Sequence, residues 1–331
     1  MRLPFKHACL VSALAALSSG FMLVAQTAQV RGKVSPAIPH YQPVAQLQGN
    51  LEILGTDVMA DVGDAWARAF KGFQPKGGLV YVSSLTTPIV KSLVDGSRPL
   101  VITSRELTHE EQGAFQAKWG YLPMRIPVCL DATIVFVHKN NPINTISLQQ
   151  LDAIYSQSRL GGAKAPAVVW GDLGVKGELA KRPIHAYSRA EGTGTRTAFK
   201  DTVLLKGAFR PGVLDCDDTS ALAESILTDV TGIAYGPLAS WYANVKVLAV
   251  IPYGATDPRF PNQENITNSN YPLARLFFAY VNRVPGKPLD PAVNEALHFI
   301  LSQEGQGAAA DVGIMPGPPE FQLPAIKRLD Q

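Results

Sequence analysis

Short apolar runs alternate with helical repeats along most of this 331-residue chain, and the alternation limits its fold more than any other feature. The first run covers residues 51–54. It is followed by apolar side chains at the spacing of one helix face: Val58, Val62, Trp66 and Phe70. The pattern repeats as far as Gly305, which we expect to end the helix that begins at Asp290-Pro291. It predicts an α/β fold with mostly parallel sheets.

The remaining predicted strands and helix starts divide the chain into regular units. The strands are 79–82, 100–103, 126–137, 184–187, 213–215, 233–235, 245–251 and 276–281. Thr108 with Glu111, and Ser147 with Gln150, have the spacing of capping boxes and predict two helix starts. About 280 residues follow position 48, more than one hydrophobic core usually serves, so we expect two domains.

The N-terminal residues have the pattern of a secretory signal peptide. Arg2 and Lys6 precede an uncharged apolar run, 8–25, and small residues follow it. We therefore assign 1–28 to a signal peptide and the proline-containing stretch 29–48 to a linker, which predicts export to the periplasm. The alternative is a membrane anchor, but the run is short for a span and no basic cluster follows it.

Composition narrows the range of partners and cofactors. Removing Arg2 and Lys6 lowers the 30 basic residues to 28, against 27 acidic ones. Such a nearly neutral chain offers no basic field for nucleic acid or for an acidic membrane surface.

Cys129 and Cys216 could pair in an oxidising compartment or remain two separate buried thiols, because the sequence does not supply their distance. No zinc-ligand spacing occurs, so we expect neither a metal nor a cofactor.

One turn combines several groups that bind anions. Arg189 and Glu191 lead into Gly192-Thr193-Gly194-Thr195, between a predicted strand and a predicted helix. The first amides of a helix are unpaired and lie at the positive end of its dipole. Glycines allow close approach of a ligand, and threonines add hydroxyl donors. With the guanidinium fork of Arg189, the turn predicts a site for a phosphate-like anion, the alternative being an ordinary N-cap turn with a solvated arginine.

Three other predicted strand ends carry similar side chains: Thr56-Asp57, Ser83-Ser84 and Ser104-Arg105. In open α/β sheets, ligands bind beyond the carboxyl ends of the strands. We therefore expect the four turns to converge on one anion in a cleft. For any one of these turns taken alone, helix capping is the simpler explanation.

Between residues 49 and 314 the chain resembles the periplasmic phosphate-binding component of the phosphate-specific ABC importer. The most specific match is the turn 189–195, which has the form Arg-x-(Asp/Glu)-x-(Ser/Thr)-Gly-Thr. Segments of lower specificity match in the same order: 55–57, 95–96, 103–107, 131–142, 170–172, 232–236, 271–273 and 302–307.

The resemblance implies a two-lobed type II periplasmic-binding-protein fold, in which crossing strands join two α/β lobes and a ligand cleft lies between them. One lobe would comprise 49–125 plus 271–331, and the other 126–270. It also implies a non-enzymatic receptor that captures inorganic phosphate and delivers it to a membrane ABC permease. We expect this receptor to act as a monomer.

The resemblance also implies roles for individual residues. Arg189, Thr193, Gly194 and Thr195 would bind phosphate from one lobe and Thr56 and Ser84 from the other, with Glu191 orienting Arg189. Arg105 also falls in the implied site, at a position where some members carry the aspartate that accepts the phosphate proton. Asp57, where some members place an aromatic residue, is then the candidate for that acceptor.

Two other classes of function remain open on the sequence. A secreted phosphatase or esterase would be an enzyme, but Gly-x-Ser-x-Gly, His-Glu-x-x-His and Gly-x-x-x-x-Gly-Lys-(Ser/Thr) are absent from the sequence, and its six histidines form no ligand spacing. A secreted interaction protein on the same fold would not need a working pocket, and the intact Arg189 and Thr195 argue against it.

Overall fold

The computed structural model describes residues 32–238 and 244–331, so the predicted signal peptide lies outside the described residues. The strands are β1 Gly49–Thr56, β2 Gly77–Ser84, β3 Leu100–Thr103, β4 Met124–His138, β5 Thr145–Ser147, β6 His185–Arg189, β7 Leu214–Cys216, β8 Gly232–Pro237, β9 Val245–Val247, β10 Ala249–Ile251, β11 Ala274–Val281 and β12 Met315–Pro316. The helices are α1 Ala60–Lys71, α2 Thr86–Asp95, α3 His109–Trp119, α4 Leu148–Tyr155, α5 Gly194–Thr202, α6 Thr219–Thr228, α7 Gln263–Thr267, α8 Pro291–Leu301, α9 Gln303–Asp311 and α10 Pro319–Leu329. Single 3₁₀ turns occupy Asp57–Met59, Trp170–Leu173 and Glu178–Lys181.

One long strand, β4, is shared by two halves of the sheet. The strand order is β2-β1-β3-β11-β4-β8-β6-β7, and β12 and β9 also pair with β4. As far as Ala132, β4 pairs with β11, and from Thr133 onward it pairs with β8. The first half therefore consists of β1, β2, β3, β11 and the start of β4, and the second of the end of β4 with β8, β6 and β7.

The directions of the strands are mixed. β1 runs parallel to β2 and β3, and β6 runs parallel to β7 and β8. The prediction of mostly parallel sheets is wrong around β4 and β11, whose pairings with their neighbours are all antiparallel. β4 runs from one half into the other and β11 lies beside its first part, so neither strand belongs to the strand–helix–strand units that make neighbouring strands parallel.

Each half has its own hydrophobic core. In the first half, Trp66 and Phe70 of α1 pack with Phe299 of α8 beneath the sheet. In the second half, the rings of Phe199 and Tyr235 stack with centroids 3.6 Å apart. Separate cores, each formed by sheet and helices, are what a two-lobed α/β molecule requires. Within residues 32–238 and 244–331 no helix is both long and apolar enough to cross a bilayer.

The stretch 32–48, predicted as a linker, contains neither helix nor strand and is held by specific contacts. The Tyr41 hydroxyl donates to the buried carboxylate of Glu295 at 2.6 Å. The Gln263 side chain exchanges two hydrogen bonds with the backbone of Lys33, at 3.0 and 2.9 Å. Glu295 lies in α8, which packs in the core of the first half, and Gln263 lies in α7, which packs in the core of the second, so this stretch contacts both halves.

Both predicted capping boxes are confirmed, at Thr108 with Glu111 and at Ser147 with Gln150.

Two predictions of element boundaries are wrong. The strand 245–251 is two strands, because the Leu248 amide donates to the Val135 carbonyl and β10 then pairs with β5. Gly305 does not end a helix: α8 ends at Leu301, and Gly305 lies inside α9, where an added Cβ would lie 2.1 Å from the Phe299 carbonyl oxygen.

Candidate anion-binding site

The start of α5 lies against the carboxyl ends of β1 and β3. A Cβ added to Gly194 would lie 3.5 Å from Oγ1 of Thr56 and 3.5 Å from Oγ of Ser104. Thr56 and Ser104 belong to the first half of the molecule and Gly194 to the second. Hydroxyl donors from one half thus face a helix N-terminus from the other, an arrangement that can hold an anion between them.

A cavity of about 300 Å³ adjoins this meeting point and is also lined by both halves. Asp57 and Val58 contribute from the first half, and Arg189 and Thr219 from the second. A cavity of this size suits a small ligand. The structure thus places Asp57 and Arg189, both predicted site residues, in the lining of the same cavity.

Arg189 is held mainly by the start of α6. Its Nη1 donates to Oγ1 of Thr219 at 2.8 Å, and its Nη2 to the Asp217 carbonyl at 3.4 Å. The Nε donor is buried and has no partner among the described residues. Glu191, expected to orient Arg189, is exposed. Thr219 therefore takes the orienting position in this arrangement.

The two threonines of the turn differ in what their hydroxyls do. Thr193 is the N-cap of α5: its Oγ1 accepts from the Arg196 amide at 3.4 Å and donates to the Ala190 carbonyl at 2.9 Å. Thr195 is 1% exposed, and its Oγ1 accepts from Nη2 of Arg275 at 3.4 Å. The hydroxyl of Thr193 therefore serves the helix start, while that of Thr195 has a proton free to donate. Gly192, with φ of 86°, gives the turn the left-handed residue that it needs.

Thr56 and Ser84 lie side by side at the ends of paired strands. They are partners in the parallel register of β1 and β2, so their side chains share one face of the sheet. The Thr56 hydroxyl donates to Oδ1 of Asp57 at 3.2 Å, and the backbone carbonyl of Thr56 accepts from the Tyr81 hydroxyl at 2.8 Å. Thr56 is 2% exposed, whereas Ser84 is half-buried.

Arg105 is engaged with the start of α3. Its Nη1 and Nη2 bond to the two carboxylate oxygens of Glu111, each at 2.8 Å. This fork raises the pKa of Arg105 and lowers the pKa of the Glu111 carboxyl, which also caps α3 through Thr108. The guanidinium thus bonds to the same carboxylate that takes part in the capping box of α3.

A buried ion pair beside Thr195 was not predicted. Oδ2 of Asp131 accepts from Nε of Arg275 at 3.0 Å and from Nη2 at 2.6 Å. The side chain of Asp131 is fully buried and that of Arg275 is 9% exposed. A charged residue inside an otherwise apolar strand is the sequence signal that could have found this pair, since such residues are seldom buried without a partner.

The described residues also limit what else the site can hold. Within 32–238 and 244–331 no group of three or more histidine, cysteine, aspartate and glutamate side chains is placed to hold a metal ion. The site offers hydroxyls, the amides at the start of α5 and the Arg189 guanidinium, which suit an anion, beside the carboxylates of Asp57, Asp61 and Asp218 in the cavity lining.

A two-lobed α/β fold with an anion-compatible site between its halves is the architecture of a solute-binding protein. A family model described as a PBP superfamily domain matches residues 41–304, so the chain belongs to the PBP superfamily. The phosphate-binding protein PstS of Pseudomonas aeruginosa is 36% identical over 296 residues, covering 89% of this chain and 92% of that protein. Within the superfamily the chain is a member of the PstS family.

Two solved structures show the same fold. An ABC-type phosphate transport receptor from Vibrio cholerae aligns with a TM-score of 0.64 at 19% identity, covering 80% of this chain and 99% of that one. PstS from Borrelia burgdorferi aligns with a TM-score of 0.60 at 19% identity, covering 82% of this chain and 100% of that one. At these identities the likeness concerns the fold alone. It confirms the two-lobed fold expected from the sequence.

Proposed function

We propose that this protein binds inorganic phosphate between its two halves, outside the cytoplasm, and delivers it to a membrane ABC permease. The observation that carries the proposal is the approach of Gly194, at the start of α5, to the hydroxyls of Thr56 and Ser104. It occurs in a chain whose relative in Pseudomonas aeruginosa is named a phosphate-binding protein. The protein is a receptor and not an enzyme.

The proposed ligands are Thr56, Asp57, Ser84, Arg105, Arg189, Thr193, Gly194 and Thr195, with Glu191 behind Arg189. Their support is unequal. The unpartnered Nε of Arg189 and the buried Thr195 hydroxyl favour direct contacts with the anion. Thr193 would act through its backbone, since its hydroxyl caps α5, and Arg105 would have to leave Glu111 to contribute its fork.

Contacts of this kind are strong enough for a receptor. Micromolar affinity corresponds to roughly −8 kcal/mol. Hydrogen bonds to a charged group contribute about 1.5–3 kcal/mol each. Several such bonds therefore suffice, after the entropy of ordering the ligand and the side chains is subtracted.

We also propose that the protein acts as a monomer of two lobes, 49–125 plus 271–331 and 126–270, after removal of residues 1–28. The change of partner along β4, between Ala132 and Thr133, favours placing the lobe boundary within that strand. The hydrogen bond from the Thr133 amide to the Leu273 carbonyl, at 2.9 Å, favours a second crossing just before β11.

Calorimetry on the mature protein, residues 29–331, tests the function. We expect phosphate to bind with a 1:1 stoichiometry, and sulfate more weakly. Arg189→Ala should weaken phosphate binding at least tenfold, since truncating one partner of a buried charge pair costs about 2–5 kcal/mol. Arg283→Ala is the matched control, because the Arg283 guanidinium bonds to the Lys287 and Arg328 carbonyls away from the cleft.

Absence of phosphate binding by the wild-type protein would overturn the proposal. A loss of less than threefold in Arg189→Ala would instead remove Arg189 from the site. Turnover of a phosphate ester, with or without divalent metal, would point to the enzyme alternative.

A further inference from the structure

We infer that Arg275 belongs to the anion-binding machinery, where it holds the Thr195 hydroxyl as a donor and directs a second guanidinium toward the same anion. The inference rests on the proposed function and adds a residue to it. Three observations carry it: the contact with Thr195, an unpartnered donor on the guanidinium, and the place of its partner Asp131 in the fold.

The contact with Thr195 fixes what that hydroxyl can do. Nη2 of Arg275 lies 3.4 Å from Oγ1 of Thr195, and a guanidinium can only donate. The Thr195 oxygen is therefore the acceptor in this pair, and its own proton is free to point elsewhere. At the start of α5, a free hydroxyl proton is a suitable donor to an anion that also contacts the helix amides.

The guanidinium itself carries an unused donor. Nε and Nη2 both bond to Oδ2 of Asp131, whereas Nη1 is buried and has no partner among the described residues. Leaving a charged buried donor unpaired costs free energy, so such atoms usually have a ligand or a partner. Because Nη1 is bonded to the same carbon as Nη2, it lies close to Thr195 and to the start of α5.

The position of the pair explains how the guanidinium is held. Arg275 and Asp131 are paired in the register of β11 and β4. The next residue of β4, Ala132, is the last that pairs with β11 before the pairing with β8 begins. Oδ1 of Asp131 also accepts from the Leu238 amide, at 3.2 Å, at the end of β8. Asp131 thus contacts both halves at their joint, and Arg275 extends from this joint to Thr195.

Calorimetry with inorganic phosphate on three variants tests the inference. Arg275→Lys keeps a cation for Asp131 but removes the planar fork. We expect it to weaken phosphate binding about tenfold, the equivalent of one lost hydrogen bond to a charged group. Thr195→Val should weaken binding by a similar factor. The double variant should lose clearly less than the product of the two single losses, because both changes remove the same link.

Arg283→Lys is the matched control and should bind phosphate as the wild-type protein does. Thermal unfolding without phosphate separates a binding defect from a loss of stability. If Arg275→Lys does not fold, Asp131→Asn with Arg275→Gln removes both buried charges together and should show the same loss of affinity.

Two results would overturn the inference while wild-type binding keeps the proposed function intact. One is a phosphate dissociation constant for Arg275→Lys within twofold of the wild-type value. The other is a double variant whose loss equals the product of the single losses, since Arg275 would then not act through Thr195. Failure of the wild-type protein to bind phosphate would reject the proposed function itself.

Discussion

At Gly194, the missing side chain leaves room where the two halves meet. An added Cβ would make ordinary contacts, at 3.4–3.5 Å, with Val58, Ser104 and Thr56. We therefore expect Gly194→Ala to fold with unchanged or slightly higher stability, because alanine favours a helix over glycine by about 1 kcal/mol. Phosphate affinity should fall at least tenfold, because the methyl group occupies the space between the hydroxyls and the helix amides.

Paired measurements of thermal unfolding and calorimetry check this prediction. Gly113→Ala in α3 is a matched control, because a Cβ there would meet nothing within 4 Å. Equal phosphate affinity in Gly194→Ala and the wild-type protein would show that the anion does not lie at the start of α5.

Asp57 is the residue that could distinguish phosphate from sulfate. Its carboxylate accepts a hydrogen bond from the Thr56 hydroxyl, and Asp57 and Arg189 line the same cavity. At neutral pH phosphate carries a proton that a carboxylate can accept, whereas sulfate presents only lone pairs and is repelled. Asp57→Asn should narrow the ratio of phosphate to sulfate affinity, as measured by competition calorimetry. An unchanged ratio would make Asp57 a helix-start residue and leave the proton to another acceptor.

Residues of the site were predictable where neighbours in sequence act together. The turn from Arg189 to Thr195 could be found because one strand end and one helix start place its groups close together. Thr219, Asp131 and Arg275 could not be found in this way. Their contacts join residues 30, 144 and 80 positions apart, and only the folded sheet brings these together.

At the scale of elements, the start of α3 couples a cap to an ion pair. Glu111 accepts from the Thr108 amide and from the Arg105 fork, and these bonds lower its pKa. A carboxyl with a lowered pKa in the folded state stabilises the fold above its unfolded pKa, and this stability is lost as pH falls through the folded pKa. The wild-type protein should therefore lose part of its stability in the acidic range below the usual pKa of glutamate.

Glu111→Gln should flatten this acid dependence, because the amide does not titrate. Thermal unfolding between pH 7 and pH 3 measures the effect, with Glu110→Gln, an exposed neighbour, as the control. Identical acid dependence in Glu111→Gln and the wild-type protein would contradict the role of this carboxyl.

Element boundaries were predictable where local chemistry sets them and not where packing does. The capping boxes at Thr108 and Ser147 depend on side chains three residues apart, so the sequence contains them whole. The split of 245–251 at Leu248 depends on Val135 in β4. The glycine at 305 is explained by the end of α8, because an added Cβ would lie 2.1 Å from the Phe299 carbonyl oxygen.

At the scale of the whole molecule, the two cysteines of the described residues lie in different halves. Cys129 is in β4 and Cys216 in β7, both are free and buried, and burial raises the pKa of each thiol. The alternative of two separate thiols is thus confirmed. We expect neither to react with a thiol reagent in the native protein, and both to react on unfolding.

A reducing agent should leave the midpoint of thermal unfolding unchanged. Cys129→Ala and Cys216→Ala assign any signal to one thiol. A lower midpoint in the reduced protein, or rapid labelling of the native state, would contradict the structure.

The place of β11 in the sheet determines the order in which the halves can be completed. β11 lies between β3 and β4, although it comes after both in the chain. The strands of the second half, from β4 to β10, all precede β11 in the chain, so they can pair with one another before β11 has been synthesised. Until β11 arrives, β3 and β4 keep unpaired edges, which are prone to aggregation. The half that begins the chain is therefore the last to close.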